Sequence, residues 1–289
     1  MNPIRLSITV IRRRPRGNWT NESALITLVT ELTGQVDSDA FARAIEAHGP
    51  RLLRLAGRLA PPGVDADDLL QETFERAWRS RERFRGEAGV GTWLHSILVN
   101  RARDHTRAWM RIRDGVAERV ASEARLLDIS VGDPEAVIVR AEHEQELRAA
   151  LARLPMPERA AVALHDGEGF RASEVARMLD CSEDAAHKRI QRGRFRLARV
   201  LDAPHEGSQP PLSCALARRS ASAYLDGELP ADQAREVEQH LSGCQHCPPV
   251  MQAVIGIRGA LSAAPTQPLL PSTLERLRDA VRLEANGSA

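Results

Sequence analysis

Long apolar runs are missing. Apolar residues make up 43% of the 289-residue chain, yet no stretch approaches the roughly 20 consecutive apolar residues of a membrane-crossing helix. The first ten residues, MNPIRLSITV, are too short and too polar for the core of a secretion signal, and the basic RRRPR run follows them where it should precede them. A soluble, cytoplasmic protein with no membrane partner is the expectation. Lysine is nearly absent: Lys188 is the one lysine among 40 basic residues, which points to a GC-rich genome more than to a physical requirement. Glycine and proline are too few to imply disorder throughout. There is no strand-like alternation of apolar and polar residues and no internal repeat, so the chain is expected to be nearly all α. No glycine-rich phosphate loop, nucleophile-base constellation or metal cluster with an open position is present, so no enzyme is expected.

Cysteine is scarce but clustered. Of four, Cys181 stands alone, while Cys214, Cys244 and Cys247 fall in the last third. In a chain without an export signal this favours metal or redox chemistry over a structural disulfide. HLSGCQHC, residues 240–247, sets His240, Cys244 and Cys247 at H-x3-C-x2-C spacing. Cys214 is the fourth candidate ligand. Three thiolates and one imidazole with no open position describe a structural zinc site; His246, inside the knuckle, reads as a bystander.

Three blocks are separated by breaks. Residues 1–36 read as a flexible extension. Residues 37–113 hold three helices: the first carries Phe41, Ile45, Leu52, Leu55 and Leu59 at helical spacing. The second opens on Asp65 as N-cap with acids in its first turn, and the third opens on Thr92. Residues 114–134 are a linker, and residues 135–202 a second helical block cut by LPMPE and HDGEGF. Residues 203–213 are a proline-rich linker, and the cysteine segment with a short last helix fills 214–289.

The formal net charge of +1 hides an uneven spread. Residues 65–75 carry five acids and no base; residues 185–199 carry six bases and no acid. Separate patches suggest more than one partner. FRASEVARMLDCSEDAAHKRIQRGRFRLARVL has helix-turn-helix grammar, with DCS as the turn and Ser182 capping the second helix. Ala186, Ile190, Leu197 and Leu201 form its apolar stripe, and Lys188, Arg192, Arg196 and Arg199 lie on the other side. His187, Lys188, Arg189, Arg192 and Arg196 are the DNA-contact candidates there. A solvated amphipathic helix is the plainer reading, against which the missing acids count. Neutralising about four phosphates would give a salt slope near −3.6.

DADDLLQETFERAWRSRERFRGEAGVGTWLHSILVNRARDHTR resembles region 2 of bacterial sigma factors of the extracytoplasmic-function (ECF) type. ELRAALARLPMPERAAVALHDGEGFRASEVARMLDCSEDAAHKRIQRGRFRLARVL resembles their region 4. The resemblance covers residues 37–202 and implies a protein that binds core RNA polymerase and promoter DNA. Asp68, Gln71, Glu72 and Arg76 match the polymerase-docking positions. Residues 84–107 match the part that opens the −10 element, with Asn100, Arg101 and Arg103 as DNA candidates and the loop 85–91 as a place for an extruded base. Trp93, beside Leu94, Ile97 and Leu98, reads as core before base-stacking. The recognition helix departs from the family at Ala185, Ala186, Lys188 and Arg189, so promoter preference does not carry across. AYLDGELPADQAREVEQHL and the ligands after it resemble the zinc-binding anti-sigma domain. That implies zinc at Cys214, His240, Cys244 and Cys247, and a tail that contacts the sigma domains of its own chain, with Leu274, Leu277 and Val281 as its apolar stripe. Oxidation of the zinc thiolates ranks first as the signal and metal sensing second. The rival reading is a helix-turn-helix regulator with a metal- or redox-sensing tail that acts without polymerase.

Overall fold

A computed structural model describes residues 38–84, 88–115, 145–201, 212–263 and 268–286, and among them there is no strand. The 1–36 extension lies outside the described residues, as does nearly all of the two linkers and residues 85–87 of the loop.

Helix α1 (Ser38–Leu59), α2 (Ala66–Arg79) and α3 (Val90–Gly115) form a three-helix bundle. The apolar spacing read in α1 turns Phe41, Ile45, Leu52, Leu55 and Leu59 inward, each at most 1% exposed. Phe41 meets Phe74 edge-on at 6.1 Å and Trp78 at 5.2 Å. Asp65 caps α2 as expected, its carboxylate accepting the Asp67 N–H at 2.8 Å. Thr92 does not cap α3. That helix starts two residues earlier, because Val90 is itself buried and joins the core, which leaves Thr92 inside the first turn.

The second bundle begins with helical residues 145–152, which we call α4. Helix α5 (Met156–Val162) follows and runs directly into a single π-helical turn, Ala163–Gly167. Then come α6 (Ala172–Met178) and α7 (Glu183–Val200). The stretch HDGEGF is therefore less a break than the end of a π turn, followed by Gly169, whose φ of +79 suits glycine. Ser182 caps α7, its hydroxyl accepting the Ala185 N–H at 3.2 Å. Gly193 lets α7 press on α5: a Cβ there would lie 2.4 Å from Val162 Cγ2 and 3.0 Å from the Glu158 carbonyl.

The tail holds α8 (Leu212–Asp226), α9 (Ala231–Gly243), α10 (Cys247–Ala263) and α11 (Pro271–Asn286). Val254, Ile257 and Leu261 of α10 share one buried cluster with Leu147, Leu151, Leu154, Val162 and Leu197 of the second bundle. Leu269 and Leu277 join the cluster of the first bundle, with Leu274 packed on its edge. Leu269 is received by a notch at Gly49, where a Cβ would stand 2.5 Å from Leu269 Cδ1. The side chain of Val281 lies outside the described residues.

Candidate metal centre and nucleic-acid interface

Cys214 sits in the first turn of α8, His240 near the end of α9, Cys244 at the extended residue closing α9, and Cys247 at the start of α10. Their four ligand atoms all lie within 4.8 Å of one another. Cys214 Sγ is 3.6 Å from Cys244 Sγ, and His240 Nε2 is 3.4 Å from Cys247 Sγ. A tetrahedron with bonds of about 2.0–2.3 Å has edges of roughly 3.5–3.8 Å, so the donor set and its span fit a closed zinc-type site. His246 serves through its backbone: its N–H and that of Cys247 donate to Cys244 Sγ at 3.3 and 3.4 Å. Burial opposes ionisation of Cys244, but those N–H groups outweigh it and pull the thiol down to about 6. Cys247 moves the other way, pushed up to about 11 by burial and by the neighbouring sulfurs, against a hydrogen bond from Arg218. Thiolates crowded this closely repel one another, and a bound cation would relieve that repulsion.

His165, Asp166 and Asp226 also converge, but arginines already fill that cluster. Arg194, from the basic run of α7, is 1% exposed. It donates from Nε to Asp166 Oδ2 at 2.8 Å, and from Nη1 and Nη2 to the Asp226 carboxylate at 2.8 and 2.9 Å. Arg258 of α10 stands 3.4 Å from Asp226 and 3.5 Å from Asp166. Burial alone would raise the Asp226 carboxyl; hydrogen bonds from His165 and Arg194 hold it well below the usual range. Asp226 is the first of the two acids of YLDGEL, so the tail's signature run closes on α7.

A second buried carboxylate, Glu168, joins the two bundles. Arg51 Nε and Arg54 Nη2 reach its Oε2 at 3.1 and 2.9 Å, Arg54 Nε reaches Oε1 at 3.1 Å, and Arg58 Nη1 lies 3.8 Å from Oε1. Arg58 Nη2 also donates to the Leu261 carbonyl of α10 at 2.8 Å, so first bundle, second bundle and tail meet at one guanidinium. Burial would raise the Glu168 carboxyl, and the arginines hold it below its ordinary value.

The candidate DNA residues of α7 divide. Lys188, Arg192, Arg196 and Arg199 are exposed on one side, and Arg189 is half-buried. The acid-free look of residues 185–199 is corrected by the fold. Lys188 pairs with Asp184 at 2.6 Å, Arg196 with Glu158 at 3.1 Å, and His187 lies between Glu183 and Glu228 at 3.8 and 3.5 Å. On the opposite side Gln191 donates to the Arg218 and Arg219 carbonyls of α8, both at 2.8 Å.

On α3, Asn100 is exposed, and Arg103 reaches Asn100 Oδ1 at 3.5 Å and the Leu179 carbonyl at 3.4 Å. Arg101 pairs with Glu72 of α2, which also bonds His105 at 2.8 Å. One candidate DNA residue is thus bonded to one candidate polymerase residue. Asp68 and Arg76 are exposed, while Gln71 is half-buried and donates to Glu75 at 3.0 Å. Trp93 is half-buried against Phe84 at 4.9 Å. Cys181 is also half-buried.

Arg194, Asp166, Asp226, Glu168 and the α1 arginines were not read as site residues from sequence. The available signals were acids in HDGEGF, where a plain break needs none, and the place of Arg194 between Ile190 and Leu197 on the apolar stripe.

Comparison with known proteins follows the same three-part division. Residues 44–111 match the Sigma-70 region 2 family, residues 144–197 the Sigma-70 region 4 family, and residues 214–247 a zinc-finger family. The chain is 37% identical over 166 residues to the ECF RNA polymerase sigma factor SigM of Mycobacterium tuberculosis, covering 57% of this chain and 79% of that relative. It is 34% identical over 176 residues to SigE of Mycolicibacterium smegmatis (61% and 67% covered), and 30% identical over 173 to the sigma-E factor of Escherichia coli K12 (58% and 89%). A solved complex of the sigma factor RpoE with the anti-sigma factor NepR from Bartonella quintana superposes with a TM-score of 0.47 at 22% identity, over 57% of this chain and 98% of that one, too slight a likeness to place one module against another. Fold and matches define a sigma-70-type transcription factor with a zinc-finger-family tail. The chain belongs to the family of ECF RNA polymerase sigma factors.

Proposed function

We propose that the protein binds core RNA polymerase in the cytoplasm and directs it to promoter DNA, and that its zinc-binding tail controls this from the same chain. The observation that carries the reading is that region 2 and region 4 occur together and in order; a helix-turn-helix regulator acting alone would need only the second.

Polymerase docking is assigned to Asp68, Gln71, Glu72 and Arg76 on α2. Thr273 of α11 supports masking of that helix by the tail, since its hydroxyl donates to Asp67 Oδ1 at 3.1 Å. Duplex DNA is assigned to the exposed side of α7, chiefly Lys188, Arg192 and Arg196, with His187 and Arg189 at its margin. Asn100, Arg101 and Arg103 of α3 are assigned to the displaced strand, where Arg101 would leave Glu72 for a phosphate. Zinc on Cys214, His240, Cys244 and Cys247 would tie three tail helices together and so hold Asp226 at Arg194. Structural zinc contributes about 10–16 kcal/mol of apparent binding energy in small domains. The short connection to α8 keeps the tail at an effective concentration of roughly millimolar. Release by oxidation of the thiolates is the favoured signal.

Run-off transcription with core polymerase tests this, comparing the full chain with residues 1–206, with and without chelator or peroxide. The truncated form should initiate more strongly, and chelator or peroxide should raise only the full chain. Equal initiation under every condition would remove cis control, and no transcript from either form would remove the sigma reading.

A further inference from the structure

Arg51, Arg54 and Arg58 occupy one face of α1 at helical spacing, and all three guanidinium groups turn to the single carboxylate of Glu168, whose side chain is 0% exposed. Arg51 Nη2 donates to the Glu168 backbone carbonyl as well, at 2.6 Å. Several guanidinium N–H groups around one planar oxyanion is the arrangement that also grips a phosphate. Glu168 belongs to the other bundle, on the turn that follows the π-helical residues, so it leaves whenever the two bundles part. The cluster lies beside the first turn of α3. His95, one turn further along, hydrogen-bonds the Gly91 carbonyl at 2.6 Å, packs edge-on against Phe170 at 4.9 Å, and feels the charges of Glu168, Arg51 and Arg54.

From this we infer that Arg51 and Arg54 form a phosphate site for the displaced promoter strand, and that Glu168 fills it as an internal stand-in while the bundles are closed. The inference rests on the sigma reading above, because only that reading brings a single strand to α3. It adds a DNA contact on α1 and an occupant that must be expelled before the strand can bind. Arg58, fully buried and bonded to the tail carbonyl of Leu261, is the member that ties expulsion to tail release.

The test uses the full chain without polymerase and a fluorescein-labelled 12-nucleotide single strand, read by anisotropy across a salt series. Glu168→Gln keeps the shape and removes the charge. It should bind about tenfold tighter than wild type, and its log-affinity slope against log salt should steepen by about 1.4, two phosphates at ~0.7 each. Adding Arg51→Ala and Arg54→Ala should return both values to wild type. Unchanged binding by Glu168→Gln, or a gain that survives the arginine replacements, overturns the inference. Should Glu168→Gln fail to fold, as shown by loss of its cooperative melt, wild type and Arg51→Ala/Arg54→Ala are compared as open complexes on core polymerase. The salt slope should then fall by about 1.4, and an unchanged slope overturns the inference. Absence of any open complex with wild type would overturn the sigma reading and this inference with it, whereas open complexes of unchanged slope overturn this inference alone.

Discussion

Asp226 and Arg194 meet through two parallel hydrogen bonds of 2.8 and 2.9 Å, bridging 32 residues of sequence. One residue ends the first helix of the tail and the other lies beyond the middle of α7, and both side chains are almost fully buried. Removing one partner of a buried pair strands the other charge, which costs far more than an exposed pair contributes. Asp226→Ala should weaken tail docking by on the order of 3 kcal/mol. Amide exchange would check it: α8 and α10 should lose protection while α1–α3 keep theirs. Uniform protection in the variant would show that apolar packing alone holds the tail.

The four candidate ligands, Cys214, His240, Cys244 and Cys247, should bind one equivalent of zinc. Cys214→Ser and Cys244→Ser should each lose it by elemental analysis and unfold α8–α10 before either bundle. Retention of a full equivalent by both variants would contradict the ligand assignment.

On α11, Leu277 is 1% exposed against the first bundle. Leu277→Ala should loosen that helix by about 2–5 kcal/mol and raise affinity for core polymerase. Gly49→Ala has two opposed effects: alanine favours α1 by about 1 kcal/mol, while its Cβ crowds Leu269. The first bundle should therefore melt no lower, yet α11 should exchange faster. Faster exchange throughout α1 would show that the glycine matters for the bundle itself.

Arg192 and Arg194 are two residues apart and should behave differently. Arg192→Ala, on the exposed side, should lower the salt slope of duplex binding by about 0.9 with the melting temperature unchanged. Arg194→Ala should lower the melting temperature instead, because it leaves Asp166 and Asp226 buried beside each other. Salt-series anisotropy and a thermal melt on both variants decide this.

His48 and His95 are held near about 4 in the fold, chiefly by burial. Unfolded, both would titrate near their ordinary 6.5, so the unfolded chain takes up protons first as pH falls. Their contribution is complete above pH 6.5 and shrinks on acidification until about pH 4. At pH 5 each histidine should remove about 2 kcal/mol, at about 1.4 per pH unit. His95→Asn keeps a donor for the Gly91 carbonyl and removes the titration. Denaturant melts at pH 7.5 and 5.0 should show roughly half the wild-type loss in this variant.

Local signals were readable and the long-range ones were not. Asp65 and Ser182 were legible as caps because a cap acts on an N–H two or three residues away. Leu277 was legible from helical spacing as a member of an apolar stripe, and it is buried. Thr92 failed as a cap since burial of Val90, a tertiary event, moved the start of α3. HDGEGF read as a break because a π turn has no turn-residue signature of its own. Arg194 stands between Ile190 and Leu197 on the apolar stripe of α7, so spacing marked it as inward, but its partners Asp166 and Asp226 lie 28 and 32 residues away and had no local signal.

Helix order, the division into three blocks and the H-x3-C-x2-C run were legible because each depends on spacing within one helix or one short loop, whereas Cys214, on another helix, joined the ligand set only through the resemblance. Helix packing set which cations reach solvent and which are held inside. Arg194 finds Asp226 and Arg51 finds Glu168 over 32 and 117 residues, and a charge's partner at that separation is set by how helices pack.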